Sequence, residues 1–311
     1  MNLVQLLLDP NIRWILLATM LLGVSSGVLG SFAYLRKQSL MGDALSHAAL
    51  PGVCIAFMLT GIKSLWFFMI GAGIAGAIAT FGIGFITRHS RIKQDAALAI
   101  VLSAFFGLGI MLLTRIQQSG SGSQAGLDKF LFGQAAAMIQ ADVYTMTALA
   151  LLLIAVCALF FKHFKLISFD AGFARMIGYP TGALEQLLML LLVVAVVVGI
   201  QAVGVVLMAA MLITPAVAAR YWTDRLGAMV VLAGLFGAAS GVLGTLVSTV
   251  ANQLPTGPLA VLAATAIFVV SVLFAPRRGL VAKRLQQARV KRDVRREQAS
   301  RVGAPEEGVS V

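Results

Sequence analysis

Long stretches without a charged residue dominate this sequence and limit what it can fold into. Four mostly apolar runs are long enough to cross a bilayer as helices, which takes about 20 residues. They extend from Trp14 to Tyr34, Ser64 to Thr87, Ala96 to Thr114 and Val143 to Phe161. With 59% hydrophobic residues, 12% charged residues and a mean hydropathy of +0.94, the chain has too little polar surface for a soluble globule. The sequence therefore predicts an all-α, polytopic integral membrane protein.

Three further segments complete the predicted helical bundle. The stretch from Ala44 to Ile62 is a fifth span, with Pro51 inside it as a source of a kink. Two other runs, Leu187 to Ala219 and Leu226 to Pro276, are each too long for one crossing. Turn-forming residues divide them, namely Gly199, Gln201 and Gly204 in the first and Asn252, Gln253, Pro255, Gly257 and Pro258 in the second. The pattern predicts about nine transmembrane helices.

The positions of the basic residues predict the orientation of the chain. With nine spans, five basic clusters fall on one face: Arg36 and Lys37; Arg88, Arg91 and Lys93; Lys162, Lys165 and Arg175; Arg220 and Arg225; and the tail from Arg277. The opposite face carries only Arg13, Lys63, Arg115 and Lys129. Because basic loops stay in the cytoplasm, the N-terminus is predicted outside and the C-terminus inside. The net charge of +12 then reflects cytoplasmic loops and contact with membrane lipid, with no nucleic acid as partner.

The chain is expected to divide into a transmembrane region, residues 1–276, and a basic cytoplasmic tail, residues 277–311, which is expected to be partly disordered. Within the transmembrane region, an outer loop at 116–142 is polar and glycine-rich. It includes the apolar sequence LDKFLFGQ, which is too short to cross a membrane.

Asp43 and His47 are the candidate ligands for a metal ion. Ionisable groups within a bilayer are costly and are therefore functional candidates. The i, i+4 spacing of Asp43 and His47 places both side chains on one helix face. Mixed oxygen and nitrogen ligands suit Mn, Fe and Zn better than Ca or Mg. On spacing alone an alternative stays open, in which Asp43 caps the helix and His47 is hydrogen-bonded inside the bundle. The depth of the pair also depends on where the helix begins.

The remaining polar and sulfur-bearing residues have simpler interpretations. Asp95, Asp128, Asp142, Glu185 and Asp224 fall at span ends or in loops, and His89 and His163 have basic neighbours that oppose metal binding. Cys54 and Cys157 each lie alone in an apolar run and are interpreted as packing residues.

Five segments carry a resemblance to a known family. They are SLMGDALSHAALPG at 39–52, KQDAALAIVLSAFFGLGIML at 93–112, LDKFLFGQ after the outer loop, FDAGFARMIGYP at 169–180 and LMAAMLITPAVAA at 207–219. Together they resemble the permease subunit of bacterial ABC-type importers for manganese, zinc and iron, the ABC-3 metal permease family. The chain has no GxxxxGK[ST] sequence, so any ATP hydrolysis is expected on a separate chain.

The resemblance implies a function and a set of partners. It implies a multi-pass protein of the bacterial cytoplasmic membrane, not itself an enzyme, which carries a divalent metal along a path that includes Asp43 and His47. No cofactor is expected to be permanently bound. The expected partners are a cytoplasmic ABC ATPase, an extracytoplasmic metal-binding lipoprotein and a second permease chain, either identical or a paralogue. The loop with QAGLDKFLFGQ resembles manganese-type members, with zinc and iron as alternatives.

The resemblance also places an ATPase-docking segment at residues 166–181, with Asp170, Ala174, Gly178 and Tyr179 as the residues assigned to the contact. The structural alternative is that Gly178 and Pro180 simply form the turn into the next span.

Two other functions are alternatives to an ABC-type importer. In a proton-coupled secondary carrier, Asp43 and His47 form a proton relay and no ATPase is needed. In a permease for metal complexes such as siderophores, a wide path makes paired ligands unnecessary.

Overall fold

The computed structural model describes residues 10–61, 65–118, 140–250 and 254–276, together with parts of 278–291. Between residues 10 and 276 the described chain forms eleven helices: α1 Pro10–Leu35, α2 Met41–Thr60, α3 Leu65–His89, α4 Gln94–Gln118, α5 Gln140–Leu159, α6 Phe161–Phe169, α7 Ala171–Met176, α8 Thr181–Val203, α9 Val205–Trp222, α10 Leu226–Val250 and α11 Thr256–Phe274. The described residues contain no strand. The expected all-α membrane bundle is confirmed. Most of the outer loop, including LDKFLFGQ, and most of the tail lie outside the described residues.

Eight of these helices are long and apolar enough to cross a membrane. The ninth expected span corresponds to α9, whose 18 residues extend about 27 Å, slightly less than a hydrocarbon core of about 30 Å. The N-outside, C-inside orientation depends on α9 crossing the membrane as well, and it stays a prediction.

The first of the two long apolar runs breaks at a single residue. Gly204 has φ +91° and ψ +160°, a backbone conformation that suits glycine and few other residues. Gly199, which was also predicted to be a turn residue, lies inside α8 and faces the Met208 side chain of α9. The turn is therefore tighter than the sequence suggested.

Small residues let the central helices approach closely. α1 packs along α10, where Gly23 faces the backbone of Gly237 and Gly27 faces the backbone of Ala233, with no room for a Cβ atom. Gly52 of α2 meets Gly71 of α3 in the same way. Such small-residue contacts are how membrane helices gain packing without a hydrophobic driving force between them.

Burial separates inner helices from outer ones. α1, α2 and α8 are the most buried spans, whereas α4, α5 and α11 are the least. On α3 the large exposed side chains repeat every three or four residues along one face, at Ile70, Ile74, Ile78, Phe81 and Phe85. This stripe has the pattern of a lipid-facing surface. The candidate functional residues lie at the start of α2 and in the short segment that contains α6 and α7.

Candidate functional site

The first two turns of α2 bring Asp43 and His47 together. Asp43 Oδ1 lies 3.4 Å from His47 Nε2, as the i, i+4 spacing predicts. Leu40 is the N-cap of α2 and no side chain caps this end, so the alternative in which Asp43 caps the helix is wrong. The carboxylate and the imidazole therefore form one two-donor group on a single helix face.

The two ring nitrogens of His47 have different surroundings. The ring meets Phe106 of α4 edge to face, with centroids 4.7 Å apart. Its Nδ1 atom is buried and finds no hydrogen-bond partner among the described residues. Its Nε2 atom points toward Asp43, which is the side from which an ion would be bound. The His47 side chain is 18% exposed and that of Asp43 is 41% exposed, so the pair lies at the edge of the single chain.

The start of α2 also fixes the position of the pair along the helix. The helix begins at Met41, which makes Asp43 its third residue. At a rise of about 1.5 Å per residue, Asp43 and His47 lie within roughly 10 Å of that end of the helix. The pair is therefore nearer to the end that follows Arg36 and Lys37 than to the middle of α2.

One described chain supplies only these two ligands. The described residues contain no group of three or more His, Cys, Asp or Glu side chains able to hold a metal. Other carboxylates have different partners: Glu185 pairs with Arg36 at 2.8 Å, and Asp224 pairs with Arg278 at 2.6 Å. Any third ligand of these four residue types would come from outside the described part of the chain.

The two excluded histidines lie away from this pair. His89 stacks on Phe85, with ring centroids 4.4 Å apart, at the end of α3. His163 is a residue of α6, and its ring contacts those of Phe160 and Tyr179. Cys54 and Cys157 are both free and buried, in keeping with packing roles.

The segment after α5 forms a capped helical turn. Asp170 is the N-cap of α7, and its Oδ1 accepts a hydrogen bond from the Phe173 backbone N–H at 2.8 Å. Gly178 has φ +86°, and the Tyr179 backbone N–H then donates to the Ala174 carbonyl at 3.0 Å. The segment thus contains both the helix α7 and a turn at Gly178. The turn therefore does not exclude a docking role for this segment.

Sequence analysis missed the side chains that this turn exposes. Ala174 is completely buried, so in this chain it packs the short helix in place and offers no surface. The exposed side chains are instead large and apolar: Phe169, Phe173, Met176, Ile177 and, in part, Tyr179. A sequence signal could have identified these side chains. The segment is too short to cross the membrane, yet it carries four apolar side chains beside Lys165 and Arg175. We call these five residues the docking surface, after the role that the sequence predicts for this segment.

These features define the class of protein: a multi-pass helical membrane protein with a two-ligand group on an inner helix and an exposed apolar turn between two spans. The chain belongs to the ABC 3 transport family, whose model matches residues 9–275. It is accordingly an ABC-type metal permease of the cytoplasmic membrane.

Individual relatives support the same family. The chain is 55% identical over 93% of its length to the manganese transport system membrane protein MntC of Bacillus subtilis, of which it spans 66%. It is 45% identical over 93% of its length to the zinc transport system membrane protein TroC of Treponema pallidum, of which it spans 97%. Among solved structures, PsaBC from Streptococcus pneumoniae in complex with Fab matches with a TM-score of 0.78 and 34% identity, covering 88% of this chain and 96% of that one.

Proposed function

We propose that this chain forms the metal path of an ATP-binding-cassette importer for a divalent transition metal, with manganese as the preferred cargo and zinc or iron as alternatives. The observation that carries the proposal is the Asp43–His47 pair, with 3.4 Å between Oδ1 and Nε2. An oxygen and a nitrogen donor at this spacing suit a first-row metal ion. The names of the relatives, which include manganese and zinc systems, support the same class of cargo.

A second permease chain completes the site in this proposal. Asp43 is 41% exposed in the single chain, and an ionised carboxylate that faces lipid is costly. Two ligands are also too few to replace most of the hydration shell of a divalent ion. A second copy or a paralogue set against this edge removes the lipid contact and doubles the number of ligands.

The proposed partners act at the two ends of the path. A metal-binding lipoprotein delivers the ion at the outer face, and a cytoplasmic ATPase engages the docking surface. ATP-driven movement of the ATPase is transmitted through α6 and α7 to the bundle, which opens alternately to either side. The metal is cargo, and no permanently bound cofactor is part of the proposal.

The test is ATP-dependent uptake of Mn, Zn and Fe into vesicles containing this chain with its ATPase and binding protein, each metal competing with the others. Asp43→Asn and His47→Ala should each lower uptake at least tenfold, because the first removes the negative charge of the oxygen ligand and the second removes the nitrogen ligand. Both variants should still insert into the membrane. Asp95→Asn and His89→Ala are matched controls, since Asp95 and His89 are exposed and lie outside the pair; both should transport normally. Normal uptake by both site variants would remove the assignment.

The same assay separates the two other functions. Uptake driven by a pH gradient in vesicles that hold this chain alone would identify a proton-coupled carrier. Uptake of a metal–siderophore complex that is indifferent to His47→Ala would identify a permease for metal complexes.

A further inference from the structure

A second polar site lies at the end of the bundle where the predicted cytoplasmic segments meet. It is a partly open cavity of about 650 Å³ lined by residues from the end of α1 to the start of α2, the last turns of α3, the start of α4, α7 and the first turns of α8. That volume falls in the range of roughly 300 to 1,000 Å³ that is typical of small-molecule sites. The proposed transport function assigns nothing to it.

The charges around this cavity favour an anion. Three arginines line it, Arg36, Arg88 and Arg175, against a single carboxylate, Glu185. Arg36 Nη2 donates to Glu185 Oε1 at 2.8 Å, which neutralises one of the three cations. Arg88 and Arg175 remain as the excess positive charge, and a guanidinium is always ionised.

Buried polar atoms around the cavity lack partners among the described residues. The Arg36 side chain is 12% exposed, and its Nε and Nη1 atoms are buried without an acceptor. Gln38 is 4% exposed, and its side-chain oxygen also has no donor. Buried polar groups in folded proteins are nearly always hydrogen-bonded, and the two ends of a glutamine amide are interchangeable by rotation. Because these atoms are themselves buried, a ligand with several oxygen acceptors would satisfy the two side chains only after they turn toward the cavity.

The cavity is separate from the proposed metal pair. Met41 lines it, whereas Asp43 does not. Residues two positions apart on an α-helix point about 200° apart, so the cavity and the Asp43–His47 pair lie on opposite sides of the start of α2. Excess arginine charge would also repel a divalent cation.

We propose that this cavity binds a phosphate group, carried either by an anionic lipid headgroup or by a soluble phosphate. Arginine presents paired N–H donors in a planar fork that matches phosphate oxygens. Arg88 and Arg175 supply charge from the rim, and Arg36 would add two unpaired donors once its side chain turns toward the cavity. The cavity has room for more than the phosphate itself, which is what a headgroup or a phosphorylated solute requires.

Two variants test the charge and the space separately. Arg88→Gln removes one rim charge from an exposed side chain. Gly182→Leu keeps every charge but fills space beside Arg88, whose Nη2 lies 3.8 Å from where a Cβ on Gly182 would be. Arg91→Gln is the matched control, because Arg91 is exposed, lies three residues from Arg88 and does not line the cavity.

The full chain would be purified in neutral detergent and titrated with two probes, phosphatidylglycerol by native mass spectrometry and radiolabelled inorganic phosphate by equilibrium dialysis. Wild type and Arg91→Gln should bind one probe with the same affinity within about twofold, and Arg88→Gln and Gly182→Leu should bind it at least tenfold more weakly, about 1.4 kcal/mol. Binding of phosphatidylglycerol only would identify a lipid site, and binding of inorganic phosphate would identify a soluble ligand.

Three results would overturn the proposal: no binding of either probe to wild type, equal binding to Arg88→Gln and wild type, or an equal loss in Arg91→Gln. No binding of either probe would point to an acidic side chain of a partner protein as the occupant. An equal loss in Arg91→Gln would point to unspecific attraction by the basic face.

Discussion

Asp170 shows how one side chain positions a whole surface. Its carboxylate accepts the Phe173 backbone N–H at 2.8 Å and begins a helix of only six residues. A helix this short has almost no cooperative stability of its own, so the N-cap and the buried Ala174 largely hold it in place. The exposed docking residues are therefore fixed by two residues that are not themselves part of the apolar surface.

Asp170→Ala should loosen α7 without unfolding the bundle. Loss of an N-cap costs about 1 kcal/mol, which is large for a six-residue helix and small for the whole chain. Hydrogen exchange of the amides of residues 171–177 should become about five-fold faster, while amides in α8 keep their protection. Asp170→Ser is the matched control, because serine also caps helices. Equally fast exchange in the serine variant would contradict the capping role.

At the scale of the element, contact between α1 and α10 depends on the absence of side chains. Gly27 faces the Ala233 carbonyl so closely that no Cβ fits between them. Gly73 of α3 also lies inside a helix, but a Cβ built there meets nothing within 4 Å. The same substitution at these two positions therefore separates packing from helix propensity.

Gly27→Ala should lower the midpoint of thermal unfolding in detergent, since α1 and α10 must move apart. The expected cost is of the order of 1 to 3 kcal/mol, as for other overpacked sites. Gly73→Ala should leave the midpoint unchanged or raise it slightly, because alanine favours a helix over glycine by up to about 1 kcal/mol. Similar midpoints for the two variants would show that the helices have room to adjust.

The docking surface is the second element with a testable role. Phe173→Ala and Met176→Ala remove exposed apolar side chains and should leave folding intact. Binding of the purified ATPase, measured by co-purification or by interferometry, should weaken at least tenfold because buried aromatic and methionine anchors dominate interfaces. Phe81→Ala is the control, since Phe81 is similarly exposed but belongs to the lipid-facing stripe of α3. Normal ATPase binding by both docking variants would move the contact elsewhere.

At the scale of the whole molecule, the orientation of the bundle follows from charge and from the number of crossings. Ser90, after α3, and Gln118, at the end of α4, are exposed at opposite ends of α4. The positive-inside rule predicts that Ser90 lies in the cytoplasm with its neighbours Arg88 and Arg91. The free Cys54 and Cys157 are buried, which leaves an introduced cysteine as the accessible thiol among the described residues.

Ser90→Cys should react with a membrane-impermeant maleimide only after the cells are opened, and Gln118→Cys should react in intact cells. The physical reason is the cost of moving basic loops across the membrane. Labelling in intact cells at position 90 and not at 118 would reverse the orientation and place the basic clusters outside.

The sequence by itself determined the class of fold and most of its elements. Apolar runs of bilayer length admit few structures other than helices in lipid, because unpaired backbone groups there are too costly. The same reasoning located the spans and the break at Gly204. It also predicted a break between α10, which ends at Val250, and α11, although Gly257 and Pro258 of the predicted turn lie inside α11, which begins at Thr256. The spacing of Asp43 and His47 placed both side chains on one face, because helix geometry is local. Local rules were sufficient for each of these features.

Only the tertiary structure decided what each face of a helix meets. It buried Ala174 and exposed Phe173, paired Arg36 with Glu185 across 149 positions of sequence, and gathered three arginines around one cavity. It also placed His47 against Phe106 and left Asp43 partly exposed at the edge of the chain. None of these could be derived from periodicity, because every span here is apolar around most of its circumference. The choice of neighbour then depends on close packing between small residues distant in sequence.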